Sequence, residues 1–95
     1  MVVGVLRLEL RLPENHSLKG KRSVVRTIKA RVQNKFNVSI AECEDHDLWQ
    51  RVTLGVSQVG ADQAHVDACL RAVIRFIDSL ALAELGEDRV EFLHY

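Results

Sequence analysis

The residues best placed to do chemistry are cations. Lys19, Arg22, Arg26 and Lys29 recur at intervals of three, four and three, a spacing that stacks all four along one side of a helix, with Gln33 continuing the stripe. Lys21 stands beside them near the helix start. Like charges so placed repel by about a few tenths of a kcal/mol per pair. In the first turn the helix dipole favours acids over bases by roughly 0.3–1 kcal/mol per group. Backbone N–H groups without intrahelical partners add donors at the same end. A bound anion would relieve all of these penalties together, and the phosphates of RNA are the obvious candidate. The competing reading is a solvated face whose repulsions are relieved by acids from the second half, such as Glu42 or Asp67. Lys21 and Arg22 are both expected to reach solvent, so reversing both to Glu should weaken RNA binding and leave folding intact.

The charges are segregated along the chain. The formal net charge of the 95 residues is zero, yet 15–41 carries seven basic residues and no acid, adding Arg31 and Lys35 to those above. From Glu42 onward eleven acids face four arginines. A +7 segment followed by a −7 segment points to a polyanionic partner or to head-to-tail contact between copies.

Other chemistries find less support. Cys43 and His46 sit among Glu42, Glu44, Asp45 and Asp47, but one Cys and one His are half a zinc site, and Cys69 falls on the packed side of a helix. His16, His65 and His94 complete no set. Neither cysteine has a basic neighbour that would activate it, and no serine sits in an elbow motif. The expectation is therefore no catalytic residues, no metal and no cofactor. Two cysteines make no disulfide framework and fit a reducing cytoplasm. No apolar run is long enough for a membrane span, and Arg7 and Glu9 interrupt the apolar start, so no signal peptide is expected.

These residues need a scaffold. The 47% apolar and 27% charged fractions fit one small soluble domain over 1–95, ample for a modest core. Val2–Leu12 alternates like a strand with one buried face. Pro13–His16 is a loop, and Ser17 is an N-cap for a helix to about Asn34 or Lys35. Leu18, Val25, Ile28, Val32 and Phe36 share an arc roughly 80° wide, the core face. Asn37–Glu44 and Trp49–Gly60 read as a hairpin joined by the acidic turn. In the first of these strands Ser39, Ala41 and Cys43 lie opposite Val38 and Ile40. Asp62 caps a second amphipathic helix, residues 81–88 pass through Gly86, and Arg89–Tyr95 is the last strand.

The order strand, helix, strand, strand, helix, strand predicts an α+β, ferredoxin-like βαββαβ domain: a four-stranded antiparallel sheet with two helices on one face. Val3, Val5, Arg7, Glu9 and Arg11, with Trp49 and Arg51, are assigned to the open face. RNA-recognition modules share this topology and stack bases on aromatics of their central strands. Here the third strand, Arg51–Ser57, has none, so stacking on the sheet is disfavoured. Acylphosphatases share it too, but their Val-Gln-Gly-Val-x-Phe-Arg signature is absent from Ser17–Arg22.

Leu12-Pro13, Ser17-Leu18-Lys19, Lys21-Arg22, Phe36-Asn37-Val38-Ser39, Ala41-Glu42, Leu48-Trp49 and Leu54-Gly55, in order along nearly the whole chain, resemble the YlxP-like family, a bacterial domain of unknown function. The resemblance implies a cytoplasmic ferredoxin-like protein without assigned catalysis. It also implies genes near those for translation initiation and ribosome maturation factors. Gly20 stands where that family more often has an acid, and Cys43 where an aliphatic residue is usual.

The expected function is a non-catalytic RNA- or ribosome-binding module whose phosphate-contacting residues are Lys19, Lys21, Arg22, Arg26 and Lys29. A homodimeric interaction module is the alternative, using the open face, where Val3 and Val5 with Trp49 nearby would leave an apolar patch. An acylphosphatase-like hydrolase is a distant third. Expected partners are RNA or a ribosomal subunit and a second copy, with no membrane and no small-molecule substrate.

Overall fold

In a computed structural model describing all 95 residues, the elements run β1 (Val2–Arg11), α1 (Leu18–Lys35), β2 (Ser39–Glu44), β3 (Arg51–Gly60), α2 (Gln63–Ser79) and β4 (Glu84–His94). The strands form one antiparallel sheet in the order β2-β3-β1-β4. This is the expected ferredoxin-like arrangement.

The alternation in β1 does what a period of two requires. Leu6, Leu8 and Leu10 pair in register with Val56, Leu54 and Val52 of β3, and all six side chains are buried. Against this layer α1 sets Val25, Ile28 and Val32, while α2 sets Val66, Leu70, Val73, Ile74 and Ile77. Both helices have side-chain caps. Ser17 accepts a hydrogen bond from the Gly20 amide and Asp62 one from the His65 amide, satisfying donors that the first turn leaves open. Gly4 lets α2 approach β1 closely: a Cβ there would overlap the Val66 side chain and stand 2.8 Å from Leu70 Cδ1.

Two features depart from the expectation. β4 begins at Glu84 rather than Arg89. Gly86 lies inside that strand, where the register with β1 shifts between Leu8 and Leu10 and a Cβ would lie 3.1 Å from the Glu9 carbonyl oxygen. Gly86 thus serves a bulge and not a break. Trp49 lies ahead of β3, in the loop after the acidic turn. Arg11 pairs with Arg51 at one end of the sheet and Val3 with Val59 near the other. The eight residue steps from Val3 to Arg11 span about 27 Å of strand, so Trp49 is not near Val3 and Val5, and no common apolar patch joins them.

Candidate nucleic-acid interface

Helix α1 displays the cationic stripe as its spacing dictates. Lys19, Arg22 and Arg26 are exposed and Lys29 half-buried. Arg22, Arg26, Lys29 and Gln33 line a shallow groove between the helix and the β2 edge, with Glu42 on its far side. No acid occupies the first turn. None of Lys19, Arg22, Arg26, Lys29 or Arg31 has a carboxylate within 4.0 Å, since the ion pairs of the molecule use only Arg7, Lys21, Arg51 and Arg71 as cations. Lys35 lies over the Phe76 ring, 4.8 Å from its centroid, which gives this cation a separate packing role.

Lys21 does not belong to that stripe. Its side chain is 1% exposed; the ammonium pairs with Glu42 at 2.9 Å and donates to the Asp45 carbonyl. The physical reason is the helical period. Residues 21, 25, 28 and 32 are the buried positions of α1, so Lys21 occupies the core stripe with Val25, Ile28 and Val32. A buried ammonium is tolerable only when paired and hydrogen-bonded. Lys21 is therefore withdrawn as a phosphate contact, and its reversal to Glu cannot leave folding intact: it would place two carboxylates together in a closed site. The expected relief by Glu42 exists, but for Lys21 alone.

The open sheet face carries a second charged constellation. Arg7 makes a two-pronged contact with Glu44, 3.1 Å from Nε to Oε1 and 3.0 Å from Nη2 to Oε2, and also reaches Glu9 at 3.2 Å. Arg51 joins the same Glu9 oxygen at 3.3 Å and approaches Asp45 at 3.7 Å. Thr53, buried beneath these groups, donates to Asp45 at 2.9 Å. The Arg7 hydrogen bond holds the Glu44 carboxyl below the usual carboxylate range, and the bonds to Glu44 and Glu9 raise the Arg7 guanidinium above its ordinary value.

Strict alternation put Cys43 on this face, whereas the structure adds Glu44 by a bulge. Glu42 pairs with Leu54 and Glu44 with Thr53, so one extra residue turns Glu44 onto the open face. Cys43 packs over Gly55, whose Cβ would lie 2.6 Å from the Cys43 sulfur. No three His, Cys, Asp or Glu side chains gather closely enough to hold a metal ion.

The chain matches the family model described as "Protein of unknown function (DUF503)" over residues 3–89. It is 38% identical over 91 residues to the uncharacterized protein YlxP of Bacillus subtilis (strain 168), covering 96% of this chain and 99% of that protein. Among solved structures it resembles the de novo designed protein Foldit4, with TM-score 0.52 and 16% identity over 99% of this chain and 97% of that one. It also resembles a candidate antibiotic biosynthesis monooxygenase from Deinococcus radiodurans, with TM-score 0.52 and 14% identity over 100% of this chain and 92% of that one. At such identities these structures share the fold and nothing more is carried over from them.

Proposed function

This chain belongs to the DUF503 family of proteins of unknown function, and from that premise we propose that it is a non-catalytic RNA- or ribosome-binding module of the cytoplasm, gripping phosphates through Lys19, Arg22, Arg26 and Lys29. One observation carries the reading. Four cations share one side of α1 without a carboxylate partner, although the chain holds as many acids as bases. Six of the thirteen carboxylates pair with Arg7, Arg51, Arg71 and Lys21, and none with the stripe. Such a face gains most from an external polyanion, and its attraction is to backbone phosphates, which confer affinity without sequence preference. No helix of the molecule is long and apolar enough to cross a membrane.

Co-sedimentation with ribosomal subunits tests the proposal. The protein should pellet with a subunit at low salt and be released at high salt, and the Arg22→Glu/Arg26→Glu variant should stay in the supernatant throughout. A variant that pellets like the parent would reduce the stripe to a solvated face.

Assembly of two copies has one observation in its favour. Leu93, Val3 and Val59 lie side by side across β4, β1 and β3, and Leu93 and Val59 are 49% and 62% exposed. A homodimer closing this end of the open face is expected at micromolar concentration. Light scattering that shows only monomer at high concentration would remove it.

A further inference from the structure

The one tryptophan of the chain stands in the open, 52% exposed, on a backbone that is held from several sides. The Leu12 amide donates to the Gln50 carbonyl at 2.9 Å. The Gln50 side chain donates to the Pro13 and Asn15 carbonyls at 3.2 and 3.0 Å. The Asn15 amide nitrogen bonds the Trp49 carbonyl at 2.6 Å and the Ser17 carbonyl at 2.7 Å. One side-chain nitrogen thus ties the tryptophan backbone to the N-cap residue of α1. Gly20 makes room for this link, since a Cβ there would strike the Asn15 side chain. That accounts for a glycine in a first helical turn, where it costs about 1 kcal/mol relative to alanine.

The ring sits in a shallow depression with Arg11, His16, Asp47 and Arg51. Arg11 and Arg51 are directly opposed across β1 and β3, an arrangement of like charges that is unfavourable. Arg51 has Glu9 and Asp45 for compensation, whereas Arg11, with Glu84 as its neighbour across β4, makes no ion pair within 4.0 Å. A half-exposed indole on a fixed support, beside a guanidinium that makes no ion pair, matches a base with its phosphate. Asp47 supplies an acceptor for an exocyclic amine. With only Leu48 and Trp49 apolar in its lining, the depression lacks the apolar centre of a protein interface, which needs about 800 Å² on each side.

We infer that Trp49, with Arg11 beside it, is a stacking site for one unpaired base of a single-stranded RNA segment whose backbone continues onto the stripe of α1. The inference rests on the RNA reading of that stripe and specifies its substrate as single-stranded at the helix start. Stacking takes place off the end of the sheet and not on the sheet.

Because the chain has a single tryptophan, its fluorescence reads this site alone. Oligoadenylate should quench the emission saturably, whereas inorganic polyphosphate, which has charge and no bases, should bind and leave the emission unchanged. Trp49→Leu should lose about five- to hundredfold in affinity for oligoadenylate and nothing for polyphosphate, and Trp49→Phe should recover most of the loss. Circular dichroism of both variants should match the parent, since the ring is half in solvent. Oligoadenylate that binds without quenching, and equally well to Trp49→Leu, would overturn the stacking site while sparing the stripe. Quenching indifferent to salt and to Arg22→Glu/Arg26→Glu would overturn the stripe as the path of the backbone. Emission that shifts with protein concentration in the absence of RNA, and a dimer lost in Trp49→Leu, would show a second copy on the ring and overturn the inference.

Discussion

The outer face of the sheet and the outer side of α1 are both studded with cations at regular intervals, and they treat them differently. On the sheet, Arg7 and Arg51 are each tied to two carboxylates, with Glu9 shared between them. On the helix, Lys19, Arg22, Arg26 and Lys29 have none. The difference comes from geometry rather than composition. A sheet places neighbours from three strands within reach of each arginine, so acids from β1 and the end of β2 converge on it. Along the stripe α1 contains no acid to serve as a neighbour, and Glu42 across the groove is already paired with Lys21. Arginines satisfied in this way, Arg7 and Arg51, are structural elements, whereas cations without a carboxylate, the α1 stripe and Arg11 at the end of the sheet, are available for a partner.

Lys21 breaks the comparison most sharply, since it belongs to the basic segment and behaves like the sheet. Lys21→Ala should destabilise by about 2–4 kcal/mol, because it strands Glu42 in a largely closed site. At about 4–8 °C per kcal/mol for a domain of this size, the Tm should fall by at least about 8 °C. Replacing the pair together, Lys21→Met with Glu42→Leu, should recover most of that loss and leave RNA affinity unchanged. A folded double variant that binds RNA more weakly would return Lys21 to the interface.

A smaller effect separates the sheet network from the stripe by pH. Hydrogen bonding by Arg7 lowers the Glu44 carboxyl from its ordinary 4.5. A depressed native value means that this contribution is complete above the unfolded value and is lost as pH falls through the native one. Glu44→Gln should therefore flatten the acid limb of the Tm profile below about pH 4.5. It should change nothing at neutral pH in RNA binding. An unchanged acid limb would show that the pair is too well solvated to contribute.

The smallest effect is expected on the stripe itself. Arg26→Ala, with no partner to lose, should alter stability by no more than about 0.5 kcal/mol while weakening RNA binding. A clear loss of stability would reveal a structural task for a residue that has none of the sheet's contacts.

The sequence made most of this architecture legible. The leucines of β1, the Ser17 and Asp62 caps and the apolar arcs of both helices sit where their periods put them, because one buried face enforces each period. Four places are not legible, each for a physical reason. Lys21 shares its helical phase with Val25, Ile28 and Val32, a signal present in the sequence but masked by its charge. Glu44 reaches the open face through a bulge at Cys43, and one inserted residue reverses the alternation without altering composition. The start of β4 was hidden because Glu84–Asp88 belongs to an edge strand with solvated charges and a glycine at a bulge. Trp49 reads as a strand residue in the sequence, whereas its position is set by Asn15 and Gln50, contacts between segments far apart in the chain.

The most direct test of the central claim is the salt dependence of RNA binding. With four phosphate contacts, log K should fall against log salt with a slope of roughly −0.7 per contact on a single strand. The Arg22→Glu/Arg26→Glu variant should keep its fold, bind all RNAs more weakly by a similar factor, and lose about two contacts' worth of slope. Parent and variant with the same affinity and the same slope would contradict the claim, because the unpaired cations of α1 would then have no polyanion to meet.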